Sequence, residues 1–208
     1  MYDVDLFDTT ARQVRLLHRQ GRKVTCYIDA GSWENWRPDG RRFPRSVIGR
    51  KLQGWPGERW LDIRKLNILQ PLMRARVERC RRKRFDAVEF DNVDGYQNST
   101  GFRLSAADQL RYNVFLANLA HRHHLSVALK NDVDQAARLQ PYFDWSLDEQ
   151  CFQYQECRKL LPFIRHRKPV FEVEYALSRQ RFCRRADGLR FNAMRKRLNL
   201  GPWRRVCS

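Results

Sequence analysis

Apolar and polar positions along this chain follow two periods, and the periods take turns. DVDLF (3–7) steps with a period of two, and ARQVRLLHRQ after it has helical spacing that stops at Gly21. VTCYIDAG (24–31) is a near-continuous apolar run closing on an acid and a turn, the pattern of a strand buried on both faces. WLDIR (60–64) reads as a short strand, a helix is expected over 66–84, and FDAVEFDNVDGY (85–96) is another apolar run whose acids bunch toward its end. A helix over 105–124, SVALKND (126–132), a short helix, FDWSLDEQ (143–150), a helix, PVFEVEYA (169–176), a final helix and WRRVC complete the series. RARVERCRRKR (74–84) and RRADGLRFNAMRKR (184–197) both read as helix-like.

One segment breaks the rhythm. Residues 31–59, rich in Gly, Pro and Trp, form a stretch far longer than an ordinary connection, which predicts a lid or binding loop. No linker, low-complexity tract or repeat interrupts the rest, so residues 1–208 are expected to form a single domain, and aromatic residues at 12% give bulk for its core.

A chain alternating in this way closes either as a doubly wound open sheet or as a barrel. The strand ends decide. Asp5 with Asp8, Asp29, Asp62, Asp91 with Asn92, Asn131 with Asp132, Glu149 and Glu174 place a carboxylate or amide at nearly every one. A barrel brings such ends to one rim, whereas an open sheet has one switch-point crevice and here no glycine-rich phosphate fingerprint. The expectation is α/β, a TIM-type (β/α)8 barrel. Its strand count is short: seven up to PVFEVEY, with WRRVC as a doubtful eighth.

The balance of 41 Lys and Arg against 23 Asp and Glu gives a net charge of +18 and raises nucleic acid as a partner. The basic residues are spread through helix-like segments and are not interleaved with aromatics along one strand, so no specific nucleic-acid partner is expected. No run of about 18 apolar residues is present to span a membrane, and MYDVDLFDTT lacks the basic and apolar regions of a signal peptide. A monomer is expected.

Six cysteines carry no C-x-x-C pair. Cys151 and Cys157 are close enough for a turn to bridge, Cys183 and Cys207 flank the last helical segment, and both pairs are candidate disulfides. Cys26, inside VTCYI, reads as a buried small hydrophobe.

An acidic rim suits two chemistries, divalent-metal binding or a pair of carboxylates flanking a glycosidic bond. Metal hydrolases usually add strand-end histidines, but His18, His121, His123, His124 and His166 all fall on helix-like segments. The carboxylate pair is therefore preferred to a metal site. Trp33, Trp36, Trp55 and Tyr96 are candidate platforms for sugar rings, with packing onto the barrel as their structural alternative.

YDVDLFDT, VTCYIDAGSWENWRPD, GWPGERWLDIR, FDAVEFDNVDGYQNSTGF, LKND and FDWSLDEQCFQYQEC, in that order, resemble the motif series of glycoside hydrolase family 114, the endo-α-1,4-polygalactosaminidases. The resemblance implies a secreted or cell-surface TIM-type barrel that cuts internal α-1,4 bonds in galactosamine-containing polysaccharide without a cofactor. It also implies Asp91 as nucleophile and Glu149 as acid/base. Lying at the ends of different strands, the two suit a shared cleft, and Asp29, Asp94 and Asp132 would raise the pKa of the member that must hold a proton. Glu58, Lys130 and Asn131 occupy motif positions that would place sugars or tune the acids, with Lys130 equally a candidate structural partner of Asp91. Asp8 and Glu174, as strand-end acids, join the expected substrate contacts with Trp33 and Tyr96.

The departure from the family is at the start. Family members carry a first strand with Trp and Gln near its end, after a signal peptide, whereas Met1 here falls just before the second. The barrel is accordingly expected to be incomplete at the N-terminus, and poorly soluble or weakly active without upstream extension. The competing function is a catalytically idle barrel that binds polysaccharide, or polyanions through its basic surface.

Overall fold

In the computed structural model, which describes residues 1–207, the chain gathers into two compact units, Met1–Val127 and a second beginning at Ala128. The first unit runs β1 (Tyr2–Asp5), α1 (Ala11–Arg19), β2 (Val24–Asp29), β3 (Ser32–Glu34), β4 (Ile48–Lys51), β5 (Glu58–Leu61), α2 (Leu66–Arg82), β6 (Ala87–Asp91) and α3 (Ala106–Arg122). Strands β1, β2 and β6 pair in parallel in that order, with Val4 opposite Cys26 and Asp29 opposite Asp91. Helices α1 and α3 begin where the sequence supplies reciprocal caps: Thr10 and Gln13 exchange side-chain-to-backbone bonds, and so do Ser105 and Asp108. Leu6, Val14, Ile28, Leu69, Val88, Phe90 and Leu116 are all buried, each contributing roughly 1.5–3 kcal/mol.

Residues 31–59 are not the structureless lid expected of them. β3, β5 and β4 form a small antiparallel sheet in that order, and Gly54 and Gly57, at φ +83 and +94, shape the turn between β4 and β5. The strand expected over WLDIR is shifted to Glu58–Leu61 and pairs here, outside the parallel series. A neighbouring hairpin partner outcompetes a distant parallel one because the loop to be closed is shorter. Buried Arg76 on α2 ties the segment down: its Nε and Nη2 each reach the Asp39 carboxylate at 2.9 Å, and its Nη1 donates to the Asp29 carbonyl at 2.7 Å.

The second unit takes most of β7 (Ser126–Lys130), then α4 (Ala136–Leu139), β8 (Trp145–Glu149), α5 (Leu161–Arg165), β9 (Val170–Glu174), α6 (Arg179–Leu189), β10 (Asn192–Lys196) and β11 (Arg204–Val206). β7, β8, β9 and β10 pair in parallel, and β11, within the expected WRRVC strand, returns antiparallel to β10. RRADGLRFNAMRKR is not helical throughout: α6 stops at Leu189, Arg190 at φ 61 caps it, and NAMRK continues as β10. Among the described residues the parallel series thus has seven strands, with NAMRK in and WLDIR out.

Cys151–Cys157 and Cys183–Cys207 are disulfides, as the spacing predicts. Cys26 is not a lone hydrophobe; it bridges to Cys80, joining β2 to α2 across a sequence separation of 54. Spacing gave no hint of this pair because it is made by packing of elements distant in sequence. Among the described residues no helix is long and apolar enough to cross a membrane.

Candidate active site

Asp91 ends β6, opposite Asp29 at the end of β2. Its carbonyl oxygen accepts the N–H groups of both Ala30 and Gly31 at 3.1 Å. Gly31 permits that approach, since a Cβ there would lie 1.6 Å from the Asn92 carbonyl oxygen. Tyr27 donates its phenolic hydrogen to Asp91 Oδ2 at 2.8 Å. Burial first, then the charges of Asp91 and Asp29, hold the Tyr27 hydroxyl far above the usual tyrosine range, so it stays a donor.

Asp29, the register partner of Asp91, is buried. It accepts the Ser32 N–H at 2.7 Å, the Ser32 hydroxyl, and Asn92 Nδ2 at 3.0 Å. Ser32 Oγ also lies 2.9 Å from Glu58 Oε2. One hydroxyl hydrogen cannot serve two carboxylates, so this geometry requires a proton on Asp29 or Glu58. Burial, followed by repulsion from Asp91, pushes Asp29 up to about 7, and burial also raises Glu58. The like-charge repulsion expected of Asp29 therefore falls on Asp29 itself.

The other predicted contacts of this unit scatter. Asp8 lies on an exposed turn 3.8 Å from Arg37 Nη1, whereas Asp5 takes Arg37 Nη2 at 2.5 Å. Asp94 and Tyr96 are half-buried on the short turn after β6. Trp33, whose Nε1 donates to Gly40 O at 2.9 Å, lines a cavity of about 640 Å³ with Lys51, Trp55, Glu58 and Arg59. Trp36 and Trp55 are exposed. His121 and His124 are also exposed, at the end of α3.

In the second unit, Glu149 ends β8. Tyr175 donates its hydroxyl hydrogen to Oε1, Lys130 Nζ lies 3.3 Å from Oε2, and the Glu149 N–H donates to Asn131 Oδ1 at 3.0 Å. Asn131 and Asp132 both adopt left-handed backbone, at φ 50 and 43, a costly corner of the kind found at functional sites. Lys130 and Asp132 are buried. Glu174, expected to face substrate, is fully buried and accepts the N–H groups of Phe152 and Gln153 at 2.9 and 3.1 Å. Both bonds fasten the loop after β8, which makes it a structural acid.

Among the acids ending β2, β6, β8 and β9, Asp91 and Glu149 are half-exposed while Asp29 and Glu174 are buried. Sequence reasoning missed Tyr27, Ser32 and Tyr175. The signal for the two tyrosines was a phenol within two positions of the acids ending β2 and β9, in CYID and EVEY. Among the described residues, two groups have donor atoms close enough for a cation, Asp29 with Glu34 and Glu58, and Asp148 with Cys151 and Glu172. In the first, Glu34 is paired with Arg37 at 2.6 Å, and in the second, the Cys151 sulfur is in a disulfide.

The profile of glycoside-hydrolase family GH114 matches residues 1–208. The chain belongs to glycoside-hydrolase family GH114. Membership makes it an enzyme, an endo-acting glycoside hydrolase. The GH114 chain is 40% identical to Ega3 of Aspergillus fumigatus, whose crystal structure is a complex with galactosamine; the match has a TM-score of 0.94 and covers 99% of this chain and 87% of that one. The glycoside hydrolase domain of PelA from Pseudomonas aeruginosa is similar at 11% identity and TM-score 0.73, over 98% of this chain and 90% of the other. That of PgaB (BpsB) from Bordetella bronchiseptica follows at 12% identity and TM-score 0.54, over 89% and 73%. The last two bear on fold alone, and the fold is the α/β TIM-type barrel. A search of curated protein sequences finds no match.

Proposed function

We propose that this GH114 enzyme cleaves internal α-1,4-galactosaminidic bonds with Asp91 and Glu149 as its two carboxylates. The observation that carries the reading is that each is a half-exposed acid at the end of a parallel strand with a tyrosine hydroxyl bonded to one oxygen. Ega3, which shares 40% of its residues with this chain, was solved with galactosamine, and this supports the sugar class.

In this reading Asp91 attacks the anomeric carbon, and Glu149 protonates the leaving oxygen and then deprotonates the incoming water. Tyr27 orients Asp91, while the Trp33–Trp55 cavity accepts a neighbouring ring. A second reading exchanges the two roles, with Lys130 Nζ, 3.3 Å from Glu149 Oε2, holding that carboxylate in place.

The test is reducing ends released from a deacetylated galactosamine polymer, by the wild type and by Asp91→Asn and Glu149→Gln. Loss in both variants upholds the pair; wild-type inactivity alongside tight polymer binding favours the idle barrel. Trapping a glycosyl-enzyme and mapping the adduct to the peptide holding residue 91 or residue 149 decides the roles. Secretion is part of the proposal, since three disulfides need an oxidising compartment to form.

A further inference from the structure

Strand β9 carries Glu172 and Glu174 two positions apart, and β8 places Asp148 opposite Glu172 in the parallel register. All three are buried, with no more than 1% exposure. Glu172 Oε1 accepts the Cys151 N–H at 3.0 Å, and Glu174 Oε1 accepts those of Phe152 and Gln153. The Gln150 N–H goes to the Val173 carbonyl at 2.9 Å. Every amide from residue 150 to 153, the four positions directly after Glu149, is therefore bonded to β9.

The opposite oxygens, Asp148 Oδ1, Glu172 Oε2 and Glu174 Oε2, are buried and receive no hydrogen bond from any N–H or hydroxyl. Neighbouring carboxyls out of water satisfy one another only if protons sit between them. Burial is the main cause that raises all three, Asp148 to about 8 and Glu172 to about 11. Glu149 and Glu156 also repel Asp148, while Lys130 on β7 and Arg185 on α6 oppose the rise, and Arg195 on β10 is the register partner of Glu174.

We propose that Glu172 and Glu174 are positioning residues which, with Asp148, form a proton-sharing clamp on residues 150–153 and so fix the carboxylate of Glu149. This rests on the reading of Glu149 as catalytic. A clamp of neutral acids differs from ordinary loop packing in one respect: when its protons leave, the buried charges repel one another and strain the strand ends that hold the loop.

Amide hydrogen exchange over residues 150–156, read by mass spectrometry, tests the clamp directly, with kcat and KM on galactosamine polymer measured beside it. In Glu172→Ala and Glu174→Ala, exchange at 151–153 should quicken about tenfold or more. Their kcat should fall roughly a hundredfold while KM stays within about threefold, the signature of a misplaced reacting group. Glu172→Gln and Glu174→Gln keep the accepting oxygen and should restore both protection and most of kcat. Glu172→Gln, which cannot lose a proton, should also hold its protection to higher pH than the wild type.

Unchanged protection in folded Ala variants would overturn the clamp, and so would Gln variants as damaged as the Ala ones. If the Ala variants do not fold, Glu172→Gln decides: protection that fades at the same pH as in wild type overturns the proposal. Glu149→Gln, assayed in parallel, separates the two readings, because activity surviving in it refutes the catalytic assignment and leaves the exchange result standing.

Discussion

Tyr27 bonds to Asp91 on one unit as Tyr175 bonds to Glu149 on the other: in each case a phenol donates to one oxygen of a half-exposed strand-end acid. A phenol fixed in this way orients the carboxylate by donating one hydrogen bond and adds no charge of its own; at Glu149 the other oxygen lies 3.3 Å from Lys130 Nζ. Tyr27→Phe and Tyr175→Phe should each lower kcat roughly tenfold to a hundredfold with KM little changed, at a stability cost of about 1 kcal/mol. Kinetics together with urea unfolding check both halves. Unchanged kcat in both variants would remove the phenols from the chemistry.

The buried acids set a direction for stability against pH. Asp29 is pushed up to about 7, Asp148 to about 8 and Glu172 to about 11, each chiefly by burial, whereas in the unfolded chain they ionise near 4. Between those limits the native state binds more protons than the unfolded one, so stability falls as pH rises. Asp86 opposes this at the acid end: Lys23, the Val24 N–H and His18 hold it below its usual value, and its contribution is lost as pH drops through the folded value. Scanning calorimetry should find Tm highest on the acid side of neutrality and declining from about pH 5 to about pH 8. A Tm that climbs through that window would mean that these acids are ionised in the native protein.

The strand-end rule singles out Asp91 and Glu149, which the structure leaves half-exposed at the ends of β6 and β8, because acids after an apolar run are a local signal, written within a few residues. The same rule misplaced Glu174, since a period of two does not say which face of β9 meets solvent and which meets the loop after β8. NAMRK was hidden for a related reason: Asn192, Arg195 and Lys196 gave it the composition of a solvated helix face, and only the left-handed Arg190 and the pairing with β9 turn it into a strand. Tyr27, Ser32 and Tyr175 owe their importance to partners set by packing. Ser32 bonds to Asp29 and also reaches Glu58, 26 positions further along the chain, a relationship that no local pattern encodes.

Glycine at position 31 is set by the Asn92 backbone. A Cβ there would sit 1.6 Å from the Asn92 carbonyl oxygen, so β2 and β6 would have to part just where Asp29 and Asp91 face each other. Gly31→Ala should therefore cost roughly 1–3 kcal/mol as an overpacking change. It should also lower kcat more than Gly188→Ala, a helical position with nothing within 4 Å of the added carbon. Equal activity of the two variants would show that the strand ends tolerate separation.

The three disulfides should differ in worth because they close loops of different size. Cys26–Cys80 spans 54 positions, Cys183–Cys207 spans 24 and Cys151–Cys157 spans six. On a chain-entropy basis these are worth about 4, 3.4 and 2 kcal/mol respectively. Cys26 also neighbours Tyr27 on β2, so its removal loosens the strand that orients Asp91. Paired Cys→Ala variants, followed by thermal melts and kcat, should rank Tm loss in that order, with Cys26/Cys80 losing activity as well. A larger Tm loss from Cys151/Cys157 than from Cys26/Cys80 would show that native-state packing of the loop after Glu149, and not loop closure in the unfolded chain, governs what these bridges contribute.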